Sequence, residues 1–278
     1  MNEWLNQFFK EIEKEKYNNT VMPKMWNILD EVSEKTGFDE HQILMLGLYG
    51  SQNYEMDSET SDIDCECFIF PSHDDIVYAY SLYSTCIKTQ YGTCHIKDIR
   101  LAFNELRKSS PNILEILATP YMIVNREYYF LINQLCRFTN YFASLDYFRL
   151  MHGYEGLFNR YLNDIENPKY FANALRIYDY MTGILCGDDY NTFTNNYSHE
   201  YFTKIKYSKE ISKEKLEAFK LLIDKRKQEL EDFYKNAPGI VEEVKRKINY
   251  WQNELMNKYI RLELWYGTKN LQMLWCST

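Results

Sequence analysis

The chain has 278 residues, 45% hydrophobic and 26% charged, a mix that excludes a disordered or collagen-like chain and leaves one large or two small globular domains. Its net charge of −8, from 32 basic and 40 acidic residues, gives no general attraction to phosphate backbones and argues against a duplex-DNA binder. No apolar run reaches the ~18 residues of a membrane span, and Met1 to Asn19 carries acids without an unbroken apolar stretch, so neither a membrane anchor nor a signal peptide is expected.

Only 10 glycines and 6 prolines interrupt the chain, about half the usual share or less, so long elements and much helix are expected. Residues 2–17, with Trp4, Leu5, Phe8, Phe9 and Ile12, read as an amphipathic helix. Residues 22–36 read as a second, with Pro23 near its start and Met25, Trp26, Leu29 and Val32 on one face. Then the period changes. The apolar run 43–49 and the run 63–70 are strands, separated by an acid-rich polar stretch. A helix over 73–82 follows, then strands at 84–89 and 93–97 and a helix over 98–109. Ser110 and Pro111 resemble an N-cap and a first-turn proline, so a helix over NILEILAT is expected. From about residue 126 onward only helical periodicity is found, in 128–138, 144–165, 169–185, 213–236 and 240–264. The organisation is therefore an α/β part, 1–125, and an all-helical part, 126–278.

The chemistry-bearing segment is 48–68. Gly50-Ser51 follows directly on a buried strand, where backbone N–H groups and a hydroxyl can approach phosphates. Ser61-Asp62-Ile63-Asp64 comes ten residues later. Side chains two apart in a strand share a face, so Asp62 and Asp64 are expected to project together about 6–7 Å apart, with Ile63, Cys65 and Cys67 on the other face. Two carboxylates at that spacing suit Mg²⁺, which completes its shell with substrate phosphates. Asn53 and Tyr54 follow the Gly-Ser turn and are candidates for nucleotide contact or for a short helix start. Lys97 and Arg100 border the site and could neutralise phosphate, or one of them pairs with Asp98. Arg176 is a candidate phosphate contact from the helical part, or an ordinary helix-surface arginine. Cys65 and Cys67 lack the second cysteine pair of a zinc site and read as core. Seven cysteines without a secretory signal read as reduced thiols in a cytoplasmic protein.

Gly50-Ser51 followed by Ser61-Asp62-Ile63-Asp64 resembles the DNA-polymerase-β-type nucleotidyltransferase superfamily. The stretch HIKDIRLAFNELRKSSPNILEIL, 95–117, is similar to the segment after the third core strand in small nucleotidyltransferases of bacteria and phages. The likeness covers about 42–125, and reaches the helical part through 174–187. It implies an α+β fold, a polymerase-β-like core with a small mixed sheet and flanking helices, followed by an all-helical C-terminal domain. It also implies transfer of an NMP from an NTP to an acceptor hydroxyl with loss of pyrophosphate. Asp62 and Asp64 would hold Mg²⁺ or Mn²⁺, with Gly50, Ser51 and Ser61 around the phosphates. One position departs from the family: where a third carboxylate is usual, the aligned residue is His95, a candidate base or a ligand for softer metals. The acceptor stays open between a small molecule, a protein and an RNA end. The alternatives are a degenerate nucleotide binder, or a protein that uses its aromatic helices to bind a partner or a second copy.

Overall fold

A computed structural model describes residues 8–13, 20–54, 56–58, 61–78, 82–119, 121–144, 146–190, 199–236 and 242–275. The chain builds an α+β fold: a six-stranded mixed sheet contributed by the first 125 residues, and a mostly helical remainder. The strands are β1 (Phe9–Glu13), β2 (Ile43–Tyr49), β3 (Asp64–Ile69), β4 (Ser84–Lys88), β5 (Thr93–Asp98) and β6 (Tyr121–Asn125), in the order β1-β6-β2-β3-β5-β4. Only β3 and β5 run parallel; every other neighbouring pair is antiparallel.

Alternation along the strands divides the core between two faces. Ile63, Cys65, Cys67, Ile69, Cys94, Ile96 and Ile123 point to the back, where they meet helix α1 (Val21–Thr36). Val21, Met25, Trp26, Ile28, Leu29 and Val32 form the buried stripe of α1, each contributing about 1.5–3 kcal/mol of burial. The helix stops where Gly37 takes a φ of 75° and returns its N–H to the Ser33 carbonyl. Phe68, Met122 and Val124 point to the front, joined by Leu44 and Met45 because the β2–β3 register slips between Ile43 and Met45.

The front is covered by helices α3 (Ile99–Leu106), α4 (Pro111–Ala118) and α5 (Tyr129–Arg137), and beyond them by α6 (Thr139–Ser144), α7 (Tyr147–Leu162), α8 (Pro168–Cys186), α9 (His199–Lys206), α10 (Lys213–Asn236) and α11 (Glu242–Trp275). A short helix α2 (His73–Val77) links β3 to β4 and starts at a Ser72–Asp75 capping box. Close approach of α4 requires Gly47, because a Cβ there would stand 2.9 Å from Ile116 Cγ2. One buried cluster runs from the sheet front to Tyr259 of α11.

Three expectations change. Residues 9–13 are an edge strand, not the middle of a helix, because pairing with β6 and burial of Phe9 behind the sheet outweigh the local helical spacing. Trp4 and Leu5 lie outside the described residues. The helix expected over 73–82 is α2, which ends at Val77; residues 79–81 lie outside the described residues. Residues 121–125 add a sixth strand that the helical pattern beside it conceals. Among the described residues no helix is long and apolar enough to cross a membrane.

Candidate functional site

The antiparallel pairing of β2 with β3 sets Tyr49 opposite Asp64. The chain therefore turns at Gly50 beside the first residue of β3. Gly50 adopts a φ of 82°, and a Cβ there would lie 3.4 Å from Asp64 Oδ2. Its carbonyl accepts the Asn53 N–H at 3.0 Å, opening a 3-10 turn from Ser51 to Tyr54. Asp64 Oδ1 accepts the Thr93 N–H at 3.0 Å, which fixes the carboxylate from the β5 side. Gly50, Ser51 and Asp64 thus gather at one end of the sheet, as their order in the sequence suggests.

The same face continues along the strands. Glu66 is level with His95, and His95 with Cys86 of β4. His95 is exposed and Glu66 buried. Burial pushes the Glu66 carboxyl up, against the pull of Lys97 Nζ at 2.8 Å.

Asp62 departs from the expected geometry. The strand begins at Asp64, so Asp62 precedes the ladder and the two-residue alternation of the strand does not reach it. Ile63 between them is buried and donates its N–H to the Tyr91 carbonyl at 2.8 Å. Asp62 is exposed beside it. Ser61 accepts the Ser58 N–H at 2.9 Å on Oγ, closing a tight loop before Asp62.

The candidate cations are engaged within the chain. Lys97 bridges Glu66 and Glu105, at 2.8 and 3.0 Å. Burial lowers its pKa, but the two carboxylates outweigh this and leave it raised. Arg100 clasps Asp98 through Nε and Nη2 at the far end of β5 from Asp64. Arg176 is neither a helix-surface residue nor an exposed phosphate ligand. It is 3% exposed, paired with the buried Glu115 at 3.6 Å, and its guanidinium carbon lies 3.7 Å from the Tyr54 ring centroid. Tyr54 in turn donates its hydroxyl to Glu115 Oε2, and Asn53 Nδ2 reaches the Glu115 carbonyl at 3.5 Å. Burial pushes the Glu115 carboxyl up while Arg176 and Tyr54 pull it down, the net being upward. Asn53, Tyr54 and Arg176 therefore brace the turn from beneath.

Sequence reasoning missed the end of α9. Tyr207 OH lies 2.9 Å from Ser61 Oγ, and Lys206 Nζ donates to the Met56 carbonyl at 2.6 Å. Burial raises the Tyr207 pKa, but hydrogen bonds with Ser58 and Ser61 and the Lys206 ammonium outweigh it and leave it lowered. The segment carries no motif; only folding brings it to residue 61.

Cys65, Cys67 and Cys94 are buried, and burial pushes all three thiols up, as suits core residues. The six cysteines among the described residues form no disulfide. A small cavity in the front core, lined by residues that include Met45, Phe68, Phe103 and Leu135, is wholly apolar and unsuited to phosphate. Among the described residues no group of three or more His, Cys, Asp and Glu side chains gathers to hold a metal. No family model matches the chain, and no curated protein matches it.

Proposed function

We propose that this chain is a metal-dependent nucleotidyltransferase with a polymerase-β-like core, moving an NMP from an NTP to an acceptor hydroxyl. The observation that carries the reading is the β2–β3 pairing, which sets the Gly50-Ser51 turn against Asp64. In the reaction the acceptor oxygen forms a bond to the α-phosphorus, the bond from that phosphorus to the bridging oxygen breaks, and pyrophosphate departs with the electron pair. Gly50 and Ser51 hold the terminal phosphates through N–H and hydroxyl donors. Asp62 and Asp64 would hold Mg²⁺ or Mn²⁺; two hard carboxylates fit an ion that takes its remaining ligands from phosphate and water. When bound, the ion supplies charge neutralisation at the phosphates and a lowered acceptor pKa. His95, on the same face as Asp64 and exposed, is the candidate base for the acceptor proton. The acceptor is a small molecule, a protein side chain or an RNA end.

A second reading, nucleotide binding without transfer, draws on the inward engagement of Lys97 and Arg100 and on the imidazole at position 95. Calorimetric and thermal-shift titration with ATP, GTP, CTP and UTP, with and without Mg²⁺ or Mn²⁺, separates the two. Metal-dependent binding of an NTP that is lost in Asp62→Asn/Asp64→Asn supports the transferase. Metal-independent binding supports the second reading, and absence of any NTP binding overturns both. His95→Asp then tests the base: it abolishes transfer if the imidazole works, and raises transfer if a carboxylate is what the site lacks.

A further inference from the structure

The helical half grips the loop between β2 and β3 at two points. Arg176 of α8 lies against the Tyr54 ring near the start of the loop, and Tyr207, just past α9, meets Ser61 near its end. The second grip is built from several contacts. Tyr207 OH reaches Ser61 Oγ at 2.9 Å and the Met56 carbonyl at 3.4 Å, and Lys206 Nζ holds that carbonyl at 2.6 Å. Ser61 is itself tied to Ser58, N–H to carbonyl at 2.9 Å and Ser58 N–H to Ser61 Oγ at 2.9 Å. The gripping turn is rooted, because Phe202 and Ile205 of α9 are buried in the front core. On the other side of Asp62, Ile63 is held to the sheet through Tyr91.

Asp62 thus sits between one anchor in the sheet and one in the helical half. We infer that Tyr207 is a positioning residue for Asp62: its hydroxyl bond to Ser61 sets where the Asp62 carboxylate stands relative to Asp64. The inference rests on the proposed reading in that the pair binds a divalent ion. A helix shift that moved Tyr207 would then move one metal ligand and leave the other, fixed by Thr93, in place. Loading of the metal site and the seating of α9 become coupled.

The test uses the full chain, the Tyr207→Phe, Asp62→Asn and double variants, and Mn²⁺ alone as the probe. Tyr207→Phe removes one hydroxyl from a half-exposed ring, so the fold is retained. The expected result is a weakening of Mn²⁺ binding by about two- to tenfold, the loss of one hydrogen bond. In the Asp62→Asn background the same change should weaken binding no further, because the two residues act through one ligand. Unchanged affinity in Tyr207→Phe, or fully additive losses, overturns the inference. Hydrogen exchange at the amides of Ser58, Ser61 and Ile63, without metal, gives a second readout. Exchange should quicken in Tyr207→Phe, and unchanged exchange overturns the grip whatever Mn²⁺ does. Faster exchange in a protein whose wild type binds no Mn²⁺ keeps the grip, but overturns the metal reading of Asp62 and Asp64 and with it the positioning role.

Discussion

Replacing Arg176 by Met tests the brace under the Gly50–Tyr54 turn. Met keeps most of the length and apolar volume of the side chain and removes the charge. Arg176 is 3% exposed, and its partner Glu115 is equally buried. The guanidinium carbon lies 3.7 Å from the Tyr54 centroid and 5.1 Å from that of Tyr180. Without Arg176 the Glu115 carboxylate stays buried and keeps the Tyr54 hydroxyl as its donor. Breaking a buried pair from one side costs about 3–5 kcal/mol, a large part of the roughly 5–15 kcal/mol that holds a domain together. Glu115→Gln should cost about 1–3 kcal/mol, since the amide keeps the Tyr54 bond and Arg176 keeps both rings. In the double variant no unpaired charge remains, so its loss should fall short of the sum by about 1–3 kcal/mol. Urea unfolding followed by circular dichroism measures all three. The sign of the pH effect gives a further check. In Arg176→Met the Glu115 pKa rises still further above its unfolded value, so protonation relieves the variant and its deficit shrinks toward pH 5. A single-variant loss under about 1 kcal/mol, or strict additivity, refutes the brace.

Gly92 packs against the backbone of Ile63: a Cβ there would stand 2.5 Å from the Ile63 carbonyl oxygen and 2.9 Å from its nitrogen. Gly92→Ala should therefore cost about 1–3 kcal/mol and weaken Mn²⁺ binding, because Ile63 lies between Asp62 and Asp64; wild-type behaviour in denaturation and calorimetry would contradict the packing. Glu66 titrates above its ordinary range because it is buried, despite Lys97. The folded state then keeps the Glu66 proton to a higher pH than the unfolded chain, so the Glu66 contribution to stability is lost as pH rises from the ordinary glutamate range through the raised folded-state value. Glu66→Gln lacks that loss, and its Tm relative to wild type should climb across this window; a flat or falling difference in scanning fluorimetry would be inconsistent with the burial.

Much of the sheet was legible because β2, β3 and β5 are apolar or alternating runs bounded by polar stretches, and period is a local property. The same signal misread Phe8, Phe9 and Ile12, whose spacing suits a helix while their backbone finds a partner in β6, far away in sequence. The relation of Gly50 to Asp64 was legible as soon as the two runs were taken as neighbours. Asp62 was misplaced by a boundary: a strand that starts one or two residues later leaves the first carboxylate outside the ladder. Arg176 and Tyr207 were hidden for another reason. Whether a helical arginine meets water or a buried glutamate depends on which helix lies across it, and no local pattern carries that information. Tyr207 stands in a polar stretch and acquires its place only through the burial of Phe202 and Ile205.

The pairing of β1 with β6 joins residues more than a hundred positions apart, from Phe9 with Asn125 to Glu13 with Tyr121. During synthesis the first strand must therefore wait for the last, and closing so long a loop carries an entropic cost that local helices do not meet. Until it closes, β6 offers an open edge to any other extended chain. The sheet is complete at residue 125, when α3 and α4 already stand over Phe68 but the helices from α5 onward, whose Cys136 meets Met122, have not been made. A nascent chain at that stage leaves part of its apolar front open to water, and its solubility depends on how promptly the helices from α5 onward arrive to cover it.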